Sequence, residues 1–580
     1  MTPSTRPVTG LDARLFGARG DGVTDSLPAI TAAIAAAVAE GGGLVLLAAG
    51  TYLVSDEIKL PSGIGLAGAG QTATTILLAE DAPAAACVVT NQGNTRVAHT
   101  APDRDIVVRD LTLDGNCWNR PDAVVQEPSR SCLAFACVED SRIENITVRN
   151  GLLHGIDISA SVYNDATLTY APGPSRNITI DNATAIDTRV DDGITTHHSE
   201  FVTIQNSQAI KTSAHAVLWT QQGIEVDEGS RDIVVQNCYV YGWAKGFQVK
   251  GHVTSRPATR VILRDCTVDH CSLGFDIDWQ GTEPDTNGAR LASDVILDNC
   301  RTRDLSQVVP GYWPELYSLF VRGYDGVTVN DLLIEDTPTG GGIYVGKAAS
   351  NVSLNRIVAE NSYSDLTDTV RPLLWYAADV GNFHQAHDVL TRTPINGPIV
   401  WVASGTTGQL KDLHLSYIRG SATTAAAATH AVVLAASLSG FSVDRVLASG
   451  YSGNITAAGS DGSVDTTDTA YTGPIAPAAW EALTLPTGWT GQVRYCKLGA
   501  DVTVLLTAVT PPSGVTGTVN IAQLPQGCWP AFEIPLTVQR SDGSTTTGAT
   551  WISASGLIRG AFTSATTTSY RAVTTFPASA

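Results

Sequence analysis

The feature that most constrains this chain is a short apolar triplet that recurs through its middle at unequal distances. Ile106-Val107-Val108, Ile146-Thr147-Val148, Ile178-Thr179-Ile180, Val202-Thr203-Ile204, Ile233-Val234-Val235, Val261-Ile262-Leu263, Val295-Ile296-Leu297, Val327-Thr328-Val329 and Val352-Ser353-Leu354 start 40, 32, 24, 31, 28, 34, 32 and 25 residues apart. Four residues after each start from 106 to 327 stands an Asn or Asp: Asp110, Asn150, Asn182, Asn206, Asn237, Asp265, Asn299 and Asp331. Alternation over such short runs specifies strands, not helices. Coils of unequal length that keep an amide or carboxylate at one offset are what stacked β-coils require, because side-chain ladders then serve the bends coil after coil. Cys238, Cys266 and Cys300 follow the polar position in consecutive coils and are expected to stack inside as structural thiols.

Composition narrows the partners. Among 580 residues, 36 basic against 56 acidic groups give a net charge of −20, which argues against nucleic acid or an anionic membrane as the main partner. The first ten residues lack the apolar core of a secretory signal, and no apolar run is long enough to span a bilayer. Ten cysteines occur without CxxC pairs.

The entry segment Leu15-Phe16-Gly17-Ala18-Arg19-Gly20-Asp21-Gly22-Val23-Thr24-Asp25, an Ala-rich helical stretch behind Asp25 and Ser26, then Gly41-Gly42-Gly43-Leu44-Val45-Leu46 and Gly50-Thr51-Tyr52, completes a pattern. With the repeat, it resembles the right-handed parallel β-helix of pectate-lyase-like and polygalacturonase-like proteins, bacteriophage tailspikes above all. The resemblance implies an all-β solenoid with a short N-terminal helix covering its open strand edges. The expected organisation is a short attachment peptide over 1–10, the β-helix over 11–458, a Gly/Ser/Asp/Thr/Pro-rich linker over 459–477, and a β-sandwich over 478–580. The last segment resembles the trimerising, receptor-contacting domains of phage tail proteins.

A second register of strands follows the ladder: Gly155-Ile156-Asp157-Ile158-Ser159, Gly193-Ile194-Thr195-Thr196-His197, Ala216-Val217-Leu218-Trp219-Thr220, Gly246-Phe247-Gln248-Val249-Lys250, Gly274-Phe275-Asp276-Ile277-Asp278 and Gly342-Ile343-Tyr344-Val345. Alternation turns Asp157, Thr195, His197, Gln248, Lys250, Asp276, Asp278 and Tyr344 outward as a polar stripe suited to a carbohydrate chain. Within it, Asp191-Asp192, His215 and Lys250 follow the order of the polygalacturonase motifs. The resemblance makes Asp191 or Asp192 the acid or water-activating base, His215 the group that tunes them, and Lys250 the anion binder, with Asp157 as the second carboxylate. It departs from the pattern at His154 and Gln248.

The plainer alternative gives Asp191 and Asp192 turn hydrogen bonds and leaves His197 and His198 facing solvent or capping a coil. His197, Asp276, Asp278, Trp279, Arg322 and Tyr344, with Lys250, read as substrate contacts, the aromatics as stacking platforms and Arg322 as an anion reader. Glu225, Asp227 and Glu228 read as a solvated acidic loop. No cofactor is expected; Ca²⁺ in Asp/Asn/Gly-rich turns is the weak exception.

The resemblance therefore implies a homotrimeric tailspike on the phage virion, made in the bacterial cytoplasm, attached to tail or baseplate proteins and acting outside the host. Its reaction would be hydrolysis of a surface polysaccharide or teichoic-acid-like polymer by general acid/base carboxylates. A polysaccharide lyase acting on a uronate and a non-catalytic receptor-binding fibre are the rivals.

Overall fold

The computed structural model describes residues 10–120, 130–162, 172–253 apart from 213 and 219, 255–279, 281, 292–309, 316–364, 371–403 apart from 378–379 and 382, 411–423, 429–434, 439–457, 461–464, 481–498, 501–512, 517–525, 528–529, 534–540, 545–562 and 570–577. It forms two compact units, 1–473 and 474–580.

The first unit is a parallel β-helix. A 23-stranded sheet and a 14-stranded sheet run its length, and each strand pairs in parallel with the equivalent strand of the next coil. The triplets supply the inward residues of the larger sheet: Ile146, Ile178, Ile180, Val202, Ile204, Ile233, Val235 and Val261 are all sealed in one continuous core. Ile178, Val202, Ile233, Val261, Val295, Val327 and Val352 sit opposite one another from coil to coil.

The fixed Asn/Asp offset has a backbone cause. All eight residues carry a positive φ between 51° and 58°, the left-handed conformation that Asn and Asp tolerate best after glycine. Seven of them form one column. Asn150 does not: Val108 pairs with Ile143, so the column passes through Asn145, whose amide donates to Asp110 at 3.1 Å and which accepts from Asn182 at 2.9 Å. The run Ile146-Thr147-Val148 pairs instead with Leu111-Thr112-Leu113, which puts Asn150 at the following bend. Cys238, Cys266 and Cys300 are buried where the polar column predicts them.

Helix α1, Leu27–Ala39, buries Ile30, Ala33, Ile34 and Ala37 against the first coils, and the Asp25 carboxylate receives its first amide at 3.1 Å. At the far end the larger sheet continues to Asp461–Val464, inside the stretch read as linker.

The smaller sheet carries the polar stripe. Its central strands are β1 (Ile156–Ser159), β2 (Ile194–Thr196), β3 (Gln222–Val226), β4 (Lys245–Gly251), β5 (Leu273–Trp279), β6 (Tyr317–Arg322) and β7 (Gly342–Gly346). A glycine precedes the first inward residue of each of β1 to β5, and the reason is steric. A Cβ on Gly193 would lie 2.5 Å from the Gly223 carbonyl oxygen, and one on Gly155 would lie 2.4 Å from that of Gly193. Replacing Gly193 by Ala must push two coils apart. Its expected cost is at the upper end of the roughly 1–3 kcal/mol of overpacking, read as a lower thermal midpoint, whereas Gly17→Ala, where the added Cβ meets nothing within 4 Å, costs only its positive φ.

In the second unit, the described strands join edge to edge in one eight-stranded antiparallel sheet, where the sequence pointed to a sandwich. Register shifts in several of its ladders bend it. Val493, Val504 and Leu506 from its first half thereby share a core with Ile521, Ile552 and Ile558 from its second.

Candidate active site

Register assembles the site. Asp157, Thr195, Glu225, Gln248 and Asp276 stand opposite one another on β1 to β5, and the column continues as Phe320 and Tyr344 on β6 and β7. Two residues further along each coil a second column holds His197, Asp227, Lys250, Asp278 and Arg322. Both point away from the core, as alternation requires. They are not open to solvent, however: Asp157, His197, Glu225, Asp227, Gln248 and Asp276 are all buried. Burial is what turns a polar stripe into a reactive cluster, since unpaired charge there is costly.

Asp191 and Asp192 stand in the turn before β2. The Asp192 carboxylate accepts from the Gln222 amide at 2.9 Å, so it serves the turn as the plainer alternative has it, and is itself buried. Burial, repulsion from Asp191 and Glu225, and a hydrogen bond with Glu225 hold its carboxyl well above the usual carboxylate range, against the pull of Lys250. One coil on, Asp227 goes the other way. Its burial is outweighed by the Lys250 ammonium, 2.7 Å away, and by Glu228 and His252, which hold it well below that range. Burial, the Asp227 charge and a hydrogen bond to that residue push Glu228 well up. Lys250 also lies 3.3 Å from Glu225, and its surrounding carboxylates outweigh its burial to keep it firmly charged.

The histidines link these groups. His197 donates from Nδ1 to Asp157 at 2.9 Å and places Nε2 3.6 Å from Asp227. Burial would lower its pKa, but Asp157, Glu228 and Asp227 raise it to about 10. His154 lies 3.8 Å from Asp157, 3.7 Å from Asp191 and 3.9 Å from Asp192. The network meets solvent at its margins, through Asp191 with 33% of its side chain exposed and His252 with 45%.

A group whose folded pKa is raised adds stability that is complete below its unfolded value and is lost as pH rises through the folded one. For His197 that window runs from 6.5 to about 10. Asp192 and Glu228 act in the same direction, because each keeps a proton the unfolded chain has already lost. Thermal unfolding across this range should therefore show a midpoint that falls with pH, and His197→Gln should make the fall shallower without abolishing it.

Two triads have ligand atoms within 4.8 Å of one another, His154 with Asp191 and Asp192, and His197 with Asp227 and Glu228. These are the residues that would hold a cation.

Several sequence expectations are corrected here. His215 lies in the irregular segment 214–218, not in a strand, and stacks on Trp118 with ring centres 3.6 Å apart; His154, His197 and His252 are the histidines that approach the acids. The coil's strand is β3, and the described residues 216–218 are not in one, Trp219 lying outside the described residues, so Glu225, Asp227 and Glu228 are buried within the site, not in a solvated loop. The frame Gly223-Ile224-Glu225-Val226 repeats that of Gly155-Ile156-Asp157-Ile158, the signal that would have placed them. His197 and His198 do not face solvent.

Trp279 is sealed in the core and donates from Nε1 to the His252 carbonyl at 3.0 Å, so it fixes the His252 turn and offers no platform. The Arg322 guanidinium is committed to Asp278 through two hydrogen bonds. Asp276 accepts from Gln248 and pairs with Lys245 at 2.8 Å, a group separate from Asp192. Tyr344 is half-buried on the outward face.

Residues 11–150 match the family described as rhamnogalacturonase A/epimerase, pectate lyase-like. The chain is 34% identical to the pre-neck appendage protein of Bacillus phage phi29 over 371 residues, 60% of this chain and 40% of that protein. It is 33% identical over 350 residues to the putative phage-related protein YobO of Bacillus subtilis, 58% of this chain and 39% of that one. A 108-residue stretch, 17% of this chain and 19% of the other, is 43% identical to the mannuronan C5-epimerase AlgE4 of Azotobacter vinelandii. The chain thus spans about two fifths of the length of the phage relatives it matches. The crystal structure of the phage phi29 gene product 12 N-terminal fragment superposes with a TM-score of 0.65 at 24% identity, covering 77% of this chain and 72% of that one. The chain therefore carries a pectate-lyase-like domain within a parallel β-helix and is homologous to the pre-neck appendage proteins of Bacillus phages.

Proposed function

We propose that this protein is a virion appendage that binds a bacterial surface glycan or teichoic-acid-like polymer and hydrolyses it by general acid/base catalysis. The observation that carries the reading is a pair of buried carboxyls one coil apart whose surroundings drive their protonation in opposite directions, Asp192 up and Asp227 down. Environments that split two carboxyls in this way assign an acid and a base. Asp192 keeps its proton at neutral pH and gives it to the leaving oxygen. Asp227, ionised beside Lys250, orients the attacking water and takes up its proton. Glu225 accepts a hydrogen bond from the Asp192 carboxyl and holds its proton in place, the Lys250 ammonium offsets the charge that develops when the proton leaves, and Asp157 holds His197 in place between the two coils. The polymer enters where Asp191 and His252 reach solvent. The phage relatives support the virion setting, and the pectate-lyase-like match supports a polymer that contains sugars.

Lys250 supplies the positive charge in this reading, so no metal is called for. Activity that survives exhaustive chelation is the expected result, and its loss with rescue by a divalent cation would transfer the chemistry to the two triads. The reading itself is tested by incubating the purified protein with bacterial envelope polymers and sizing the products. Shortened chains without new ultraviolet absorbance are expected. An absorbing, unsaturated product would make the enzyme a lyase, and binding without shortening would make the protein a receptor-binding fibre.

A further inference from the structure

Beyond the carboxylates, the first outward column changes character. Phe320 and Tyr344 are followed in register by Trp375 of the strand Leu374–Tyr376 and Trp401 of the strand Val400–Val402. The inward neighbours Leu374, Tyr376, Val400 and Val402 are fully buried and build the core, while on the outward face Tyr344 and Trp375 pack at the edge of a small cluster of Leu273, Tyr317 and Phe320. Both indoles remain partly exposed.

The rings make a corner. Phe320 and Tyr344 are parallel within 10° at 4.7 Å, Trp375 and Trp401 are parallel within 14° at 6.2 Å, and the Tyr344 and Trp375 planes meet at 80°. Gly346 allows this. It occupies the position that Arg322 holds on β6, and a Cβ there would lie 2.5 Å from the Tyr344 hydroxyl oxygen.

We propose that Tyr344, Trp375 and Trp401 form a binding subsite for a pyranose unit of the polymer, resting on the hydrolytic reading above for the polymer's identity as substrate. One apolar face of a sugar ring packs on an indole while its edge meets the perpendicular tyrosine. Five coils separate Glu225 from Trp375, about 24 Å at about 4.8 Å per coil. The corner thus holds a distant unit of the same chain that the carboxylates cut, and it selects polymers bearing sugar rings over bare polyol phosphates.

The test uses the full chain carrying Asp192→Asn, so that bound polymer persists. The probes are poly(glycerol phosphate) with glucosyl groups, the same polymer with N-acetylglucosaminyl groups, and the bare polymer. The subsite predicts that at least one sugar-bearing form binds roughly tenfold or more tighter than the bare one. Trp375→Ala with Trp401→Ala should erase that preference, and Trp375→Phe with Trp401→Phe should retain most of it. Equal affinity for all three polymers, or a preference untouched by the alanine pair, overturns the proposal. So does an alanine pair that changes the oligomeric mass while leaving the preference intact, which would make the corner an interface between copies. If the corner binds sugar as described while the wild-type protein shortens none of the polymers, the subsite stands and the hydrolytic reading falls.

Discussion

Asp192→Asn is expected to cut polymer turnover by roughly 10²–10⁴-fold, the usual worth of a positioned general acid, while leaving the affinity for uncut polymer close to wild type and the melting temperature at or above it. The amide keeps an oxygen to accept from the Gln222 backbone, so the turn survives, but it has no proton to give. It also removes a buried carboxyl whose surroundings oppose its ionisation, so no favourable ion pair is lost with it. Asp191→Asn should do far less, because that side chain is a third exposed and stands at the margin of the cluster. Steady-state rates and polymer affinity measured on the two variants side by side check both statements. The alkaline limb of the rate profile adds a second reading: activity should fall as pH rises and Asp192 gives up its proton.

Lys250→Met is expected to produce the largest loss of stability of any substitution in the site, about 3–5 kcal/mol, the cost of leaving a buried charge without its partner. The ammonium is 2.7 Å from Asp227 and 3.3 Å from Glu225, and Glu228 and Asp192 also act on it. Methionine fills the same volume without charge, so the cost is electrostatic and not a cavity. Adding Asp227→Asn to Lys250→Met should recover part of the loss, since groups in one network couple strongly. Thermal or denaturant unfolding of the two single variants and the double variant measures that coupling. Additive losses would mean that Asp227 and Lys250 are not partners.

Much of the solenoid was legible from the chain because its signals are local. A β-branched triplet and an Asn or Asp that accepts a left-handed backbone each report on their own residue, and seven of the eight polar positions fell in one column. The eighth, Asn150, went astray because Ile146-Thr147-Val148 looks like the first run of its coil and pairs as the second. The site was less legible, since it depends on which residues register brings together across coils. Asp157, His197 and Lys250 are legible as outward positions of regular strands, and Asp192 through the order of the polygalacturonase-like motifs. Glu225, Asp227 and Glu228 are obscured because the apolar run 216–218 competes for the strand with the frame Gly223-Ile224-Glu225-Val226 that marks it. His215 was chosen for its order along the chain, which says nothing of the loop that carries it to Trp118. Trp279 and Arg322 were read as free to meet substrate, and only the three-dimensional structure shows the His252 carbonyl and the Asp278 carboxylate that occupy them.

The central claim is that Asp192 is a protonated carboxylic acid at neutral pH, one coil from a carboxylate that is ionised. Infrared difference spectroscopy between the wild-type protein and Asp192→Asn at pH 7 addresses it directly. The account predicts a carbonyl stretch of a neutral carboxylic acid in the wild type that disappears in the variant. A difference spectrum showing instead the loss of an ionised carboxylate would contradict it.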